Sequence, residues 1–415
     1  MVTYPADWTI TSIASCADIL QGGTPRTTNP TYWNGDIVWV TPGEITKLPG
    51  LYVETSERKI TEAGLANSSA TLLPPGTILL CTRATIGDLA IADVALSTNQ
   101  GFKNLVCKPH VNNVFFAYLL TTMKEEMIKR AIGTTFLEIS KKELSAINVY
   151  LPSIGEQKRI AKALQEIDTY ISDLAALIEK KKAIREGAVT DLMTGKTRLT
   201  GYTAPWGSAT LGTIGTFTKG APLSKAAITE TGTPFILYGE LYTTYGEVTY
   251  VVHRHTKQSA PAECISRVGD VIIPTSGETA EEIATACCVM APGVILAGDL
   301  NIYRAPDMDG RFISHVINHV INRKIAEVAQ GISIIHINAK ALGKMMISYP
   351  QREEQSAIAD VIDEMDTEIN NYQMQNAVKA AIYQALISAG YTSADAQRET
   401  EELFDIAKRQ VEYDQ

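Results

Sequence analysis

The sequence predicts an α+β fold in which two tandem mixed α/β modules are separated by two long helices forming an antiparallel coiled coil, with an internal pseudo-twofold repeat. The sequence repeats itself at an offset of 198 residues. Each copy ends in a long stripe of apolar residues at alternating gaps of 4 and 3, the a/d spacing of a coiled coil, which requires a partner helix. Before each stripe, short apolar runs are broken by glycine and proline, as is typical of strands in a compact module.

The repeat extends along the whole chain. Trp8 corresponds to Trp206, 198 residues later. Inside the modules the offset falls to 193, where residues 75–78 match residues 268–271, and it then recovers. Such a drift is expected where loops vary in length while the frame is kept. We therefore interpret the chain as two copies of one unit, each a module followed by a long helix.

The predicted segments follow from this repeat and from the helix start and stop signals. They are a first module at 1–152, a long helix at 153–196, a second module at 197–350, a long helix at 351–390 and an acidic C-terminal helix or tail at 391–415. Within the modules we expect curved antiparallel strands and few helices. Strands are predicted at 37–40, 77–80, 89–92, 104–107, 147–151, 271–274, 284–289 and 302–304, and packing helices at 114–131 and 312–329.

The two long helices carry matching stripes. A translation between the two units would leave the second stripe unpaired in solvent, whereas a twofold axis folds the second helix back antiparallel on the first. Some 40 residues at 1.5 Å per residue span about 60 Å. Asn376 stands where the first stripe has Ile178, and a buried Asn can fix register at some cost in stability. The predicted seam consists of Ile160, Leu164, Ile167, Ile171, Leu174 and Ile178 with Ile358, Ile362, Met365, Ile369, Tyr372 and Asn376.

Composition restricts the class of protein. The chain has 415 residues, 45% of them hydrophobic and 20% charged, which is ordinary for a globular protein. No apolar run reaches the length of a membrane span and the first residues lack a signal-peptide pattern, so we predict a cytoplasmic protein with no membrane partner. The six cysteines form no CxxC pair, which favours buried free thiols. The net charge of -9 argues against a general nucleic-acid coat but leaves a local basic surface open.

Motifs for catalysis and metal binding are weak. Residues 195–197 (GKT) resemble the end of a phosphate loop, but Thr190 stands where that loop needs glycine, and a helix precedes it. His315 and His319 are four apart without a metalloprotease glutamate between them, so histidines that are hydrogen-bonded or face solvent are favoured and no metal site is predicted. A methyltransferase tetrad, a cofactor loop and a nuclease cluster were not found. We predict a binding protein without catalytic residues or a cofactor of its own.

Several loops carry side chains suited to DNA. Arginine, asparagine and glutamine suit bidentate contacts to guanine or adenine, while serine, threonine and lysine suit phosphates. For any single residue, an ordinary surface or turn role remains the competing interpretation. The candidates are Thr24, Arg26, Tyr32, Trp33, Thr82, Arg83, Thr85, Asn99, Gln100 and Lys103 in the first module, and Lys219, Tyr238, Glu240, Tyr242, Tyr245, Ser276, Glu278, Asn301 and His336 in the second.

An ordered set of short motifs resembles the specificity subunits of type I restriction-modification systems. The resemblance covers nearly the whole chain, although no single motif is specific alone. The motifs are Leu151-Pro152 followed by residues 156–161 (EQKRIA), Tyr349-Pro350 followed by Glu354-Gln355, residues 192–196 (LMTGK) at the end of the first helix, residues 22–25 (GGTP) and residues 82–87 (TRATIG).

The resemblance implies a function. Each module would be a target recognition domain that reads one half of a bipartite site on double-stranded DNA. The paired helices would set the spacer and dock two DNA adenine methyltransferase (modification) subunits, which carry S-adenosylmethionine and methylate adenine N6. Motor-nuclease (restriction) subunits can join such a complex for cleavage. The end of the second helix, with residues 388–391 (SAGY), departs from the Gly-Lys close of the first.

Two alternatives stay open at this point. The first is a specificity partner in a fused nuclease-methyltransferase system of the type IIB kind. The second, from a different class, is a structural tether whose two modules bind protein or glycan, which the net charge of -9 mildly favours.

Overall fold

A computed structural model describes residues 7–133, 137–329 and 335–389, with side chains to residue 379 apart from 280 and 281. The acidic tail predicted at 391–415 lies outside the described residues. The chain divides into two compact units, unit 1 with residues 1–177 and 372–415, and unit 2 with residues 178–371. Each unit therefore contains one module and a part of both long helices.

The first module precedes a long helix. Its strands are β1 (Thr9–Ser12), β2 (Ala17–Gln21), β3 (Trp33–Val40), β4 (Tyr52–Val53), β5 (Lys59–Ile60), β6 (Ile78–Cys81), β7 (Leu89–Ala92), β8 (Leu96–Thr98), β9 (Phe102–Cys107) and β10 (Asn148–Leu151). Its helices are α1 (Ile13–Cys16), α2 (Pro42–Ile45), α3 (Glu62–Ala66), α4 (Asn113–Thr121), α5 (Lys124–Arg130) and α6 (Lys141–Ser145), with a 3-10 turn at Pro30–Tyr32. The long helix is α7 (Ile154–Met193).

The second module repeats the strands of the first in the same order and adds two strands of its own. Its strands are β11 (Gly207–Thr210), β12 (Thr216–Lys219), β13 (Thr233–Leu237), β14 (Val248–Thr249), β15 (His255–Thr256), β16 (Asp270–Pro274), β17 (Ser276–Gly277), β18 (Cys287–Val289), β19 (Ile295–Ala297), β20 (Leu300–Arg304), β21 (Ile335–His336) and β22 (Met346–Tyr349). Its helices are α8 (Leu211–Ile214), α9 (Ala280–Ile283), α10 (Gly310–Val316), α11 (Asn322–Val328) and α12 (Ala339–Leu342), with 3-10 turns at Lys225–Ala227, Tyr238–Tyr242 and Ala262–Cys264 and a π-helical turn at Ile317–Ile321. The second long helix is α13 (Arg352–Ala389).

The two modules share one sheet topology. The five-stranded sheet β2-β9-β6-β7-β4 of the first has its counterpart in β12-β20-β16-β18-β14 of the second. The three-stranded sheet β5-β3-β8 matches β15-β13-β19, and the closing pair β1-β10 matches β11-β22. The second module adds the pair β17-β21. The predicted internal repeat and the α+β fold class are therefore confirmed.

The drift of the repeat is visible in the strand register. Ile78 pairs with Leu105 and Val271 pairs with Tyr303. Leu105 and Tyr303 are 198 apart, while Ile78 and Val271 are 193 apart, so the segment from β12 to β16, with its three strands, is five residues shorter than the segment from β2 to β6.

The predicted antiparallel strands make up most of the pairs, but two pairs in each module are parallel. In the first module, β3 is parallel to β8 and β4 is parallel to β7. In the second module, β13 is parallel to β19 and β14 is parallel to β18. Parallel partners need long crossover connections, and the order of strands across a sheet cannot be read from the apolar pattern of each strand. The predicted helix at 114–131 is also interrupted, since α4 ends at Thr121 and α5 begins at Lys124.

A buried glutamine at the start of each long helix explains the repeated Glu-Gln motif. Gln157 accepts from the backbone N of Asn112 at 2.8 Å and donates to the carbonyl oxygen of Pro152 at 2.9 Å. Gln355 does the same with Asp309, at 3.0 Å, and Pro350, at 2.8 Å. Each glutamine thus joins the helix to the loop before α4 or α10 of its own module.

The long helices run antiparallel within each unit. In unit 2, Lys181 binds Glu368 at 2.7 Å and Arg185 binds Asp366 at 2.6 Å. The later residue of α7 pairs with the earlier residue of α13, as in antiparallel helices. In unit 1, the Lys379 ammonium lies 5.2 Å from the centre of the Tyr170 ring, in the same direction of pairing. The predicted antiparallel pairing is confirmed.

Only part of the predicted seam is a helix-helix seam. Ile160 and Leu164 pack in the core of the first module, and Ile358 and Ile362 pack in the core of the second. Residues from the far end of α7 also join the second core, and the sequence analysis did not include them: Val189, Leu192 and Met193. The remaining positions of the stripes are buried or half-buried. The stripes therefore start as module core and continue as coiled coil.

Among the described helices, none has the length and apolar character needed to cross a bilayer. The six cysteines are free thiols, five buried and Cys107 half-buried, as predicted. Burial raises the pKa of the Cys81 thiol to about 12 and that of Cys16 to about 11, which keeps both protonated and unreactive at neutral pH.

Candidate nucleic-acid interface

In the first module, candidate residues gather at one end of the five-stranded sheet. β9 runs antiparallel to both of its neighbours, which places Gln21 opposite Lys103 and Cys81 opposite Phe102. The end of β2, the start of β9 and the end of β6 therefore lie at the same edge. Loops that leave this edge carry most of the first module's candidates.

A three-residue ion cluster lies beyond the end of β6. Glu138 binds Arg83 at 2.7 Å through one carboxylate oxygen and Lys103 at 3.2 Å through the other. Lys103 is almost fully buried, whereas Arg83 and Glu138 remain partly exposed. Burial raises the pKa of Glu138, but the hydrogen bonds and charges of Arg83 and Lys103 outweigh it and lower the net pKa. Glu138, which the sequence analysis missed, thus orients both predicted cations.

A second group lies beside residues 22–25. Thr24 donates to the side chain of Gln100 at 2.5 Å, and Asn99 accepts from the backbone N of Gly101 at 2.8 Å. A Cβ atom at Gly22 would lie 1.9 Å from the carbonyl oxygen of Asn99, so this close approach requires glycine. The candidates Thr24, Asn99 and Gln100 are brought together by two loops.

The other candidates of the first module have internal roles or stand apart. Trp33 is buried, donates to the carbonyl oxygen of Arg26 at 3.3 Å and lies under the guanidinium of Arg58 at 3.6 Å. Tyr32 packs partly against the same small cluster, and Arg26 itself is exposed. In the loop after β6, Thr82 is buried and donates to the carbonyl oxygen of Gly101, and Thr85 is half-buried.

In the second module, a cavity of about 770 Å³ lies at the same edge of the sheet. It is lined by Lys219, Asn301 and His336 together with Asp299. Asn301 is buried, and its side-chain Nδ2 has no hydrogen-bond partner within the part of the chain that the structure describes. A buried amide donor without a partner calls for an explanation, and its place in a cavity wall points to a role in binding.

An adjoining cavity of about 790 Å³ shares Asp299 and His336 with the first. Here Tyr242 donates to the carbonyl oxygen of Ser276 at 2.9 Å, and Ser276 donates to Asp299 at 3.0 Å. Burial raises the pKa of Tyr242, which therefore stays a neutral donor. Its lining contains four further candidates from the sequence: Tyr238, Tyr242, Ser276 and Glu278.

Residues 5–184 match the family model described as "Type I restriction modification DNA specificity domain". The match covers the first module and most of α7, and we call this part of the chain the specificity domain after the model that it matches. The family resemblance drawn from the sequence motifs is confirmed.

Three known proteins place this specificity domain in context. The chain is 36% identical over 190 residues to the type I restriction enzyme MjaIX specificity subunit of Methanocaldococcus jannaschii, which covers 45% of this chain and 43% of that protein. It is 27% identical over 174 residues to the EcoR124I/EcoR124II specificity subunit of Escherichia coli, covering 40% and 42%. These matches span less than half the length of either relative. The crystal structure of the type I S subunit of M. genitalium shares the fold, with a TM-score of 0.60, 17% identity and coverage of 95% and 98%.

The repeat relates the specificity domain to the second module position by position. Lys103 corresponds to Asn301 and Glu138 to His336, each at an offset of 198. The loop after β6, with its bridge between Arg83 and Glu138, corresponds to the pair β17-β21, in which Ser276 is opposite His336. The same places thus hold an ion cluster in the specificity domain and neutral or weakly basic groups in its counterpart.

Two candidates of the second module line neither cavity. Glu240 is buried, binds Arg254 at 2.5 Å and accepts from the backbone N of Leu237 at 2.9 Å. Tyr245 is buried, stacks on His253 and accepts from its backbone N at 3.1 Å. Both side chains hold local structure, and no signal in their sequence neighbourhood separates them from the other polar residues.

Proposed function

We propose that this chain is the non-catalytic DNA sequence-specificity subunit of a type I restriction-modification complex. Each module reads one half of a bipartite target, and the long helices set the spacer and dock the methyltransferase subunits. The observation that carries the proposal is the duplicated topology. The second module repeats, strand for strand, the module that lies inside the matched specificity domain.

The chemistry at the two edges supports two different half-sites. The partly exposed Arg83 can meet a phosphate or a guanine edge, and Glu138, which also binds the buried Lys103, fixes the direction of Arg83. In the second module the unpaired amide of Asn301 suits an adenine edge, beside Lys219 for a phosphate. Because the two modules share one topology but carry different side chains at this edge, we expect each to bind a different half-site sequence independently.

The partners follow from the same proposal. Two DNA adenine methyltransferase subunits with S-adenosylmethionine would carry the chemistry, and motor-nuclease subunits would join for cleavage. Polar positions on the exposed faces of α7 and α13 would receive the methyltransferase subunits. The match to a DNA specificity domain favours this proposal over a protein- or glycan-binding tether.

The first experiment compares the methylome of the host with the gene intact and deleted, by single-molecule sequencing, while expression of the methyltransferase gene is verified. Deletion should remove one split N6-methyladenine motif, and re-expression should restore it. An unchanged methylome with the methyltransferase expressed would contradict the proposal.

A module exchange tests the independence of the readers. Residues 9–151 are replaced by the corresponding module of a relative, and the matched control replaces residues 207–349. Each exchange should change one half of the motif and leave the other half and the spacer as they were. A change in both halves would exclude independent reading.

A further inference from the structure

Two histidines and a glutamate converge in the second module, outside both cavities. The ligand atoms of Glu247, His315 and His319 all lie within 4.8 Å of one another. Nδ1 of His315 lies 2.8 Å from one carboxylate oxygen of Glu247, and Nε2 of His319 lies 2.6 Å from the other. Two imidazole nitrogens and one carboxylate are a donor set typical of zinc sites with an open position.

The surrounding groups suit a metal. Oε1 of Glu186 on α7 lies 3.4 Å from Nδ1 of His319, the ring nitrogen that faces away from Glu247. Histidines that bind metals usually donate their second ring N–H to a carboxylate, which orients the ring. His315 is fully buried and His319 nearly so, while the side chain of Glu247 is 24% exposed and leaves an entry for an ion.

The local charges also favour a divalent cation. Arg185 lies 2.9 Å from Glu247 and is held by Asp366 through two bonds, of 2.6 and 2.8 Å. With neutral imidazoles, one guanidinium opposes the carboxylates of Glu247, Glu186 and Asp366, which leaves a formal charge of -2. A divalent ion would neutralise it, and Arg185 would keep Asp366 as its partner.

The π-helical turn that carries His319 marks a one-residue insertion in the repeat. Phe115 and Phe312 pack edge-on against Trp8 and Trp206, at an offset of 197. Beyond the turn, Ala329 caps α11 as Ala131 caps α5, at an offset of 198. A π turn accommodates one extra helical residue, and such turns are frequent at functional sites.

In the described part of the first module, other side chains occupy the places of Glu247 and His315. The carbonyl oxygen of Leu51 accepts from the backbone N of Ile91, and the carbonyl oxygen of Glu247 accepts from the backbone N of Cys288. Leu51 therefore occupies the place of Glu247. Tyr118 occupies the place of His315 at the offset of 197, and it donates directly to Asp168 of α7 at 2.6 Å. The cluster is therefore specific to the second module.

We propose that Glu247, His315 and His319 bind one divalent transition-metal ion of the zinc class. The ion would join the segment before β14 to α10 and to the π-helical turn after it, beside Glu186 of α7. No metal site was predicted from the sequence, because Glu247 lies 68 residues before His315, a distance at which spacing gives no signal.

The test uses the full chain, stripped with a chelator and titrated with Zn²⁺ and with Co²⁺ as a spectroscopic probe. We expect one ion per chain, a visible cobalt spectrum of low coordination number, and a melting temperature raised by Zn²⁺. His319→Gln and Glu247→Gln should lose the spectrum and the thermal shift. Glu186→Gln should weaken affinity about 10–100-fold, as expected for a partner that orients a ligand.

His336→Gln is the matched control. His336 lines a cavity that contains none of the three proposed ligands, so this variant should keep the cobalt spectrum. Circular dichroism of each metal-free variant verifies folding. If a variant fails to fold, the wild-type chain is labelled with cysteine- and histidine-directed reagents, with and without Zn²⁺. Protection of His315 and His319 by Zn²⁺ would support the site, and protection of other residues would contradict it. No cobalt spectrum in the wild type, or a spectrum retained by folded His319→Gln, would overturn the proposal.

Discussion

In the specificity domain, Glu138 binds the two predicted cations Arg83 and Lys103, so these enter any DNA complex with their directions fixed and part of their charge compensated. Sequence inspection suggested the cations because of their residue type. It could not find Glu138, 55 residues after Arg83, since only the fold brings these segments together. The same holds for Asp299, which lines both cavities of the second module.

We expect Glu138→Gln to release both cations. Binding of the assembled complex to duplex DNA should become less specific at the first half-site and more sensitive to salt, because freed cations displace more counterions. Titrations of the complex with target and with a first-half-site mutant, at several salt concentrations, measure this. Glu143→Gln, a carboxylate on α6 farther from the cluster, is the control. Unaltered discrimination at the first half-site would show that Glu138 has no role in reading.

Asp309→Asn should reduce the loss of stability in acid. Burial raises the pKa of Asp309, but the hydrogen bonds and charge of Arg311, 2.9 Å away, outweigh it and lower the net pKa. A carboxyl with a lowered folded pKa stabilises the fold above its unfolded pKa, about 3.9, and this contribution is lost as the pH falls through the folded value. The variant should have a lower free energy of unfolding than the wild type at pH 7. Below about pH 4, that free energy should fall less steeply with pH than in the wild type.

Denaturant unfolding at a series of pH values measures this effect. Asparagine can still cap α10, since Asn112 caps α4 in the corresponding place. Asp36→Asn, at an exposed carboxylate, is the control. An equal acid slope in Asp309→Asn and the wild type would contradict the assigned role.

At the scale of elements, the long helices were predicted most closely. The expected 153–196 and 351–390 compare with Ile154–Met193 and Arg352–Ala389, because continuous apolar stripes and a terminal glycine define helix ends well. β1 and β11 were missed, since their residues are half-exposed or exposed and give no apolar signal. Parallel partners were missed because strand order depends on crossovers between distant segments.

Asn376→Ile should stabilise the helix pair in unit 1. The side-chain Oδ1 of Asn376 is buried and has no hydrogen-bond partner within the described part of the chain. Leaving such a group unpaired costs about 1–3 kcal/mol, so the free energy of unfolding should rise by a comparable amount. Denaturant unfolding followed by circular dichroism measures it, with the exposed Gln375→Ala as control. A destabilised variant would indicate that Asn376 fixes the register of the pair.

At the scale of the whole molecule, the duplication gives one chain the two similar modules that the proposed two-part target requires. Sequence alone gave the copy number and the offset, because Trp8 and Trp206 and the Glu-Gln motifs recur in register. It could not give the asymmetry. The same edge of the sheet carries the ion pairs of Glu138 in the first module and the neutral amide of Asn301 in the second. This difference depends on side chains that meet only after folding.

Deleting one heptad from α7 and a matched heptad from α13 should shorten the spacer of the target. Seven residues correspond to about 10 Å of helix, or roughly three base pairs at about 3.4 Å each. Both half-sites should persist in the methylome while the unread bases between them decrease. A deletion in α7 alone is the control and should misalign the pair and reduce methylation. An unchanged spacer in the matched deletion would exclude the helices as its determinant.

Unit 1 is assembled from both ends of the chain, residues 1–177 and residues from 372 onward. During synthesis, its N-terminal part therefore leaves the ribosome long before its C-terminal helix exists. The 194 residues of unit 2 separate the two, which at 5–20 residues per second amounts to roughly 10–40 s. For that time the stripe of Ile167, Ile171 and Leu174 has no intramolecular partner helix. Until α13 is made, this apolar stripe stays exposed, and we expect the nascent chain to be prone to aggregation.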